Sequence, residues 1–306
     1  MTGFPASVSI VEVGPRDGLQ NEAAAIPAED RIRLVDALAG AGHTRIEAGA
    51  FVSPKWVPQM AGSEAVFAGI RRKPGVRYSA LVPNLQGLER AASARVDEIA
   101  LFAAASDTFS RRNTNASIPD VLAGYATVAR AAIAQGMRVR GYVSTAFGCP
   151  FEGEVATSRV IDVTRELLDM GAGEIAISDT IGVAHPGQVR SLLDALGSAV
   201  PLDAIALHFH DTRGTALVNV YAALQHGITV FDSSAGGLGG CPYAPGAAGN
   251  LATEDLLFML DGLGISTGVD REKVAAASRM LEPALGHPLP SRLLQTEAAR
   301  EPQGFL

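Results

Sequence analysis

Ile205-Ala206-Leu207-His208-Phe209-His210-Asp211 interleaves an apolar set, Ile205, Leu207 and Phe209, with a second set, Ala206, His208 and His210. A period of two is the mark of a β-strand, and it turns both imidazoles to one side. Two histidines side by side in a dry core are hard to satisfy with hydrogen bonds. At the end of a strand that faces a cavity, they suit a metal ion. A lone buried histidine is more often structural, but this pair, with Asp17 and Asn250 elsewhere in the chain, reverses that reading.

Working outward, seven more β-rich runs precede or follow this one: Val8–Val13, Thr44–Gly49, Arg77–Val82, Glu98–Phe102, Arg138–Thr145, Glu174–Ser178 and Thr229–Ser233, with the first run taken as Ile205–His210. Helical stripes lie between them. Ile32, Val35, Leu38 and Ala39 form one, closed by Gly42; Val160, Val163, Leu167 and Met170 form another; Leu217, Val220, Tyr221 and Leu224 form a third before Gly227. Eight strands alternating with helices predict an α/β chain folded as a (β/α)8 TIM barrel, with a doubly wound open sheet as the competing architecture. The interval between the third and fourth strands is tight. We expect one domain, with the barrel over about residues 5–250 and an appendage of additional C-terminal helices over about 251–306, including Glu254–Gly262 and Arg271–Leu285.

Composition narrows the function. With 306 residues, 47% of them hydrophobic, the chain can bury a large core. A net charge of −7 and a pI near 5.4 argue against a nucleic-acid partner, since phosphate binding wants a basic surface. No apolar run approaches the ~20 residues that span a bilayer, so no membrane partner is expected. Val8 already begins a strand, which leaves no room for a leader peptide. Cys149 and Cys241 are too few for a disulfide framework, so a cytoplasmic location is expected. Trp56 and Met60 are expected to be partly exposed and to serve a homo-oligomer contact, with core packing as the equal alternative.

A barrel gathers its chemistry where strands end and βα-loops begin. The first strand ends in Gly14-Pro15-Arg16-Asp17-Gly18-Leu19-Gln20, the second at Glu47, the sixth at Asp179-Thr180 and the seventh at His208, His210 and Asp211. The eighth runs into Gly236-Gly237-Leu238-Gly239-Gly240-Cys241-Pro242, followed by Asn250. Asp17, His208, His210 and Asn250 offer a carboxylate, two imidazoles and an amide oxygen, a set suited to Mg²⁺ or Mn²⁺ with zinc as second choice. The bland alternatives are an Asx turn for Asp17 and a helix cap for Asn250. Arg16 would act as a fixed positive charge beside the ion, held by Glu47. Cys241, in its run of glycines, is a candidate for proton transfer, while Cys149 is read as an apolar filler. The glycine run matches neither a dinucleotide fingerprint nor a P-loop.

These residues also carry a family likeness. The chain resembles the 3-hydroxy-3-methylglutaryl-CoA lyases of the metal-dependent lyase and synthase barrel superfamily, over nearly its whole length. The resemblance rests on Val11 through Glu22, on Phe51-Val52-Ser53-Pro54-Lys55-Trp56-Val57-Pro58-Gln59-Met60, on Ser178-Asp179-Thr180-Ile181-Gly182, and above all on Asp232 through Asn250. It implies metal ligands at Asp17, His208, His210 and Asn250, catalytic roles for Arg16, His208 and Cys241 with Glu47 and Asp179 in support, and Gln20 among the substrate contacts. It further implies an acyl-CoA substrate cleaved to acetyl-CoA and acetoacetate, a step of leucine degradation and ketone-body formation. A condensing synthase on a 2-oxo acid is the rival within the superfamily; it would carry a Gly-Glu-Arg triplet that this chain lacks. A lyase for longer 3-alkyl homologues is a second rival, and a non-catalytic acyl-CoA-binding barrel a third. Three positions depart from the family pattern: Ala23 in place of Lys, Gly49-Ala50 in place of Thr-Ser, and Arg213 in place of Tyr. From these we expect Gly49-Ala50 to widen the pocket at the substrate's C3, and Arg213 to meet its free carboxylate or a CoA phosphate.

Overall fold

Strands that are buried at nearly every position need both faces covered, and here a barrel supplies both. The computed structural model describes residues 3–240 and 249–299. In chain order the elements are β1 (Ser9–Glu12), α1 (Ala28–Gly40), β2 (Arg45–Ala50), α2 (Ser63–Gly69), β3 (Arg77–Leu81), α3 (Leu85–Ser93), β4 (Glu98–Ala104), α4 (Asp107–Thr114), α5 (Ile118–Ala134), β5 (Arg138–Ser144), α6 (Thr157–Asp169), β6 (Glu174–Asp179), α7 (Pro186–Gly197), β7 (Ile205–Phe209), α8 (Ala216–Leu224), β8 (Val230–Ser233), α9 (Thr253–Gly262), α10 (Arg271–Arg279), α11 (Glu282–Leu285) and α12 (Arg292–Ala298). The eight strands close in sequence order. Every neighbouring pair is parallel, and β1 meets β8 in the register Ser9↔Val230 to Glu12↔Ser233. The barrel, and not the open sheet, is the fold.

Each expected strand run overlaps one observed strand, with β2 reaching one residue further to Ala50, β4 two further to Ala104 and β6 one further to Asp179. The tight third interval is filled by the short helix α3, whose N-terminus is capped by the Asn84 side chain accepting from the Gly87 amide at 2.9 Å. Between β4 and β5 the chain makes two helices, α4 and α5. Of the stripe expected on α8, Val220 and Leu224 are buried and Leu217 partly so, but Ala216, Ala222 and Ala223 are buried with them, while Tyr221 is 38% exposed and stacks edge-on to Phe4 at 5.1 Å. Small alanines let the helix lie close to the barrel, and that close approach outweighs burial of the larger side chains. The C-terminal helices complete the outer ring, with α9 beside α8 and α10 packed on α1.

Inward-facing side chains fill the barrel with charge as well as hydrocarbon. Arg45 grips Glu174 with both terminal nitrogens, at 2.8 and 2.7 Å, and Arg140 Nε reaches the same carboxylate at 2.7 Å. Of the two residues expected at a subunit contact, Trp56 is 82% exposed but Met60 is buried. No helix among the described residues is long and apolar enough to cross a membrane.

Candidate active site

The first βα-loop begins with one wide turn, in which the Gly18 amide donates to the Val13 carbonyl five residues back at 3.2 Å. Such turns are rare and cluster at functional sites. This one tips Arg16 and Asp17 toward the barrel axis. It fits because Gly18 has no side chain: a Cβ there would stand 2.7 Å from Ser234 Oγ and 2.8 Å from Leu238 Cβ. Asn250 arrives by a different route. The Leu251 amide donates to the Phe209 carbonyl at 3.0 Å and the Asp211 amide to Gly249 at 2.7 Å, so residues 249–251 pair with the end of β7. Gly249 passes so close to the Gly239 carbonyl that a Cβ would lie 1.6 Å from its oxygen.

These two devices bring four sequence-distant residues to one pole. Ligand atoms of Asp17, His208 and His210 lie within 4.8 Å of one another. Asn250 Nδ2 donates to Asp17 Oδ2 at 2.9 Å and to the Leu238 carbonyl at 3.2 Å. That leaves Asn250 Oδ1 buried without a hydrogen-bond partner, as is His210 Nδ1. Buried acceptors left unsatisfied ask for a partner, and a carboxylate, two imidazoles and an amide oxygen form a donor set for a hard divalent cation. The residues present therefore fit Mg²⁺ or Mn²⁺.

The electrostatics keep the set in its ligating form. Burial alone would raise the Asp17 pKa, but Arg16 and the two imidazoles hold it below the ordinary carboxylate range. Burial, reinforced by His208, pushes His210 down to about 4, so its imidazole is neutral at pH 7. His208 Nδ1 meets Asp232 Oδ2 at 3.2 Å. With Nδ1 as donor, Nε2 keeps its lone pair for a ligand. Asp232 is in turn gripped by both terminal nitrogens of Arg140, at 3.1 and 2.7 Å, and is held far down the carboxylate range against the effect of burial.

Arg16 is nearly inaccessible to solvent. Its Nε is bound to Glu47, and one terminal nitrogen is 2.6 Å from Asp17 Oδ1. Burial disfavours its charge, yet Glu47 and Asp17 reverse that and raise its pKa. Tyr142 completes the frame: its hydroxyl donates to Glu47 Oε2 at 2.6 Å, and its ring lies between the guanidinium groups of Arg16 and Arg140, at 5.7 and 4.8 Å from the centroid. A cavity of about 160 Å³ opens over this cluster, bordered by Arg16, Asp17, Gln20, Tyr142, His208 and His210. Gln20 Oε1 is buried and unpartnered there.

Other expected residues fall elsewhere. Asp179 spends both carboxylate oxygens on the amides of Val183 and Ala184, each at 2.9 Å, and burial raises its pKa to about 6. It shapes the turn that presents Thr180. Arg213 lies outside the cavity, donating to the carbonyls of Ile181 and Gly182 at 2.8 and 3.0 Å. The expectation that Gly49-Ala50 widens the C3 pocket is corrected. A Cβ on Gly49 would press on Ser63 Oγ at 2.8 Å, facing the helices, and Ala50 is sealed in the core. A β-bulge between Glu47 and Gly49 turns the strand's later residues away from the axis. Cys241 lies outside the described residues.

Sequence reasoning passed over Asp232, Arg140 and Tyr142 as site residues. A signal was there: β5 alternates Arg138, Arg140, Tyr142 and Ser144 on one face, and a polar face on a central barrel strand has to be met by partners inside.

A closed parallel barrel with a divalent-cation donor set, a fixed guanidinium and a cavity at the C-terminal pole of its strands is the architecture of a metal-dependent TIM-barrel enzyme. The HMGL-like family model matches residues 7–281, and the chain belongs to that family. Among its relatives is the 3-hydroxy-3-isohexenylglutaryl-CoA/hydroxy-methylglutaryl-CoA lyase of Pseudomonas aeruginosa, 54% identical over 97% of this chain and 99% of that one. The mitochondrial hydroxymethylglutaryl-CoA lyase of Bos taurus is 50% identical over 95% and 90% of the two chains. The HMG-CoA lyase structure from Bacillus subtilis superposes with a TM-score of 0.96 at 48% identity, covering 97% of this chain and 100% of that one. The lyase from Acinetobacter baumannii, solved with coenzyme A and 3-methylmalate, gives 0.91 at 40% identity, covering 100% and 99%.

Proposed function

We propose that this chain cleaves 3-hydroxy-3-methylglutaryl-CoA to acetyl-CoA and acetoacetate with Mg²⁺ or Mn²⁺ held by Asp17, His208, His210 and Asn250. The observation that carries the reading is the meeting of Asp17, His208 and His210 beside Arg16, with the Asn250 amide against Asp17 and its oxygen left without a partner. In the reaction the C2–C3 bond breaks, the 3-hydroxyl loses its proton, and the electron pair passes into the thioester as an enolate. A divalent ion held by Asp17, His208, His210 and Asn250 would supply Lewis-acid chemistry, favouring loss of the hydroxyl proton and easing charge on the ketone oxygen.

The side chains divide the remaining work. Asp17 would take the hydroxyl proton on the carboxylate oxygen it does not give to the ion, while His208, with Nδ1 donating to Asp232 and Nε2 turned to the ion, holds the ion in place. Arg16, held by Glu47 and unable to lose its proton, steadies developing oxyanion charge; losing such a donor typically costs roughly 3–4 kcal/mol. Gln20 orients the acyl group. Cys241 delivers the proton that converts the enolate carbon to the methyl of acetyl-CoA. Arg213 braces the turn after β6. We place the protein in the cytoplasm on its cysteine usage.

The test is direct. Purified protein with Mg²⁺ and 3-hydroxy-3-methylglutaryl-CoA should release acetoacetate and acetyl-CoA in equal amounts, and a chelator should stop it until metal is restored. Failure to release acetoacetate with either Mg²⁺ or Mn²⁺ refutes the assignment.

A further inference from the structure

The contact of His208 with Asp232 is the first step in a line of ion pairs that runs down the barrel interior, away from the candidate metal site. Asp232, on β8, is gripped across the barrel by Arg140 on β5, at 3.1 and 2.7 Å. Arg140 Nε reaches Glu174, its register partner on β6, at 2.7 Å. Glu174 is met across the barrel again by both terminal nitrogens of Arg45 on β2, at 2.8 and 2.7 Å. Arg45 and Glu174 are the first residues of their strands, so the line ends at the pole opposite the cavity.

Its charges alternate in sign and stay charged. Burial would raise the Glu174 pKa, but Arg140 and Arg45 hold it below the ordinary carboxylate range. Burial alone would lower that of Arg45, yet Glu174 raises it. Asp232 and Arg140 are sealed from solvent, and the other two side chains keep little surface, so screening along the line is weak. Stability alone does not call for the arrangement, since a buried ion pair is often no better than well-packed apolar side chains of the same volume.

The decisive atom is shared. Asp232 Oδ2 serves Arg140 at 3.1 Å and His208 Nδ1 at 3.2 Å. A stronger pull from Arg140 on this oxygen weakens its bond to the imidazole, and a weaker bond at Nδ1 leaves Nε2 a poorer ligand. Glu174 draws Arg140 the other way, and Arg45 competes for Glu174.

We propose that Glu174 and Arg45 are positioning residues for the ion: each sets, through Arg140 and Asp232, how strongly His208 binds it, and the two act with opposite sign. The inference rests on the ion seat of the reading above, not on the substrate cleaved there. Without the Glu174 charge, Arg140 turns wholly to Asp232 and His208 becomes the weaker ligand. Without Arg45, Glu174 draws Arg140 harder, Asp232 is released to the imidazole, and His208 becomes the stronger one.

The experiment measures Mn²⁺ affinity by titration calorimetry on the metal-free full chain, with each variant's thermal midpoint recorded alongside. Glu174→Gln should weaken binding about fivefold and Arg45→Met should tighten it about threefold, less than loss of a ligand's immediate partner brings. In the double variant Arg45 has nothing to compete for, so affinity should match that of Glu174→Gln alone. Arg138→Met, which removes an exposed charge at the same pole outside the line, should leave affinity unchanged. If Arg45→Met does not fold, Arg45→Gln, which keeps a donor for Glu174 without the charge, should show the same gain. A general loosening of the barrel would lower affinity in both single variants, and a field acting directly on the ion would make the two effects add. Either outcome, or affinity unmoved by both, overturns the inference and leaves the seat standing. If the unaltered protein takes up no Mn²⁺, the seat and the inference fall together.

Discussion

Asp232 shows how much one carboxylate can decide. One of its oxygens faces the Arg140 fork and the other serves both Arg140 and His208 Nδ1, so His208 has its proton placed for it. In Asp232→Asn the amide keeps one oxygen for Arg140 but turns its NH₂ toward the imidazole, forcing the proton onto Nε2 and removing the ligating lone pair. Mn²⁺ affinity, followed by titration calorimetry, should fall 10–100-fold with the fold unchanged. An unaltered affinity would show that the dyad serves packing alone. The two histidines were legible in the sequence because a period of two admits only one arrangement. Asp232 was not, because a single acid within a strand carries no pattern until its partner at Arg140, on a strand far away in sequence, is known.

At the next scale, elements are tied by acids buried between them. Glu12, at the end of β1, accepts from the Gly14 amide and the Ala235 amide at 2.8 Å each, and from Thr253 at 2.7 Å on α9. It thereby joins the root of the first loop to the root of the last. Burial raises its pKa from 4.5 to about 8 against these hydrogen bonds. The native state thus holds a proton that the unfolded chain has released. The resulting stability is complete below the unfolded pKa near 4.5 and is lost as pH rises through about 8. Glu12→Gln cannot titrate but can keep the amide contacts, so its urea midpoint should decline less between pH 5 and pH 8.5 than that of the unaltered protein. Parallel curves would count against this account. Element order was readable from alternating runs. The face of α8 was readable only in part: Val220 and Leu224 are buried as expected, but Tyr221 looks more buriable than the alanines beside it until the helix-to-strand distance is known.

Across the whole molecule, stability and chemistry meet at the metal. A ligand that binds only the folded state at 100 times its Kd adds about 2.7 kcal/mol. Saturating Mn²⁺ should therefore raise the thermal midpoint by several degrees, and a chelator should return it; a midpoint indifferent to both would mean that the four residues hold no ion. Barrel closure was legible in eight strands alternating with helices, and the pole where Asp17, His208 and His210 meet was legible in where polar residues stood relative to strand ends. The backbone pairing of Asp211 with Gly249 and of Phe209 with Leu251 has a wider consequence. It fastens residues 249–251 to the barrel rim through bonds that involve no side chain, so selection can change the side chains around that strap while the ion's seat stays assembled. Such a layout lets a lineage experiment with the fate of its carbanion without first forfeiting its cation.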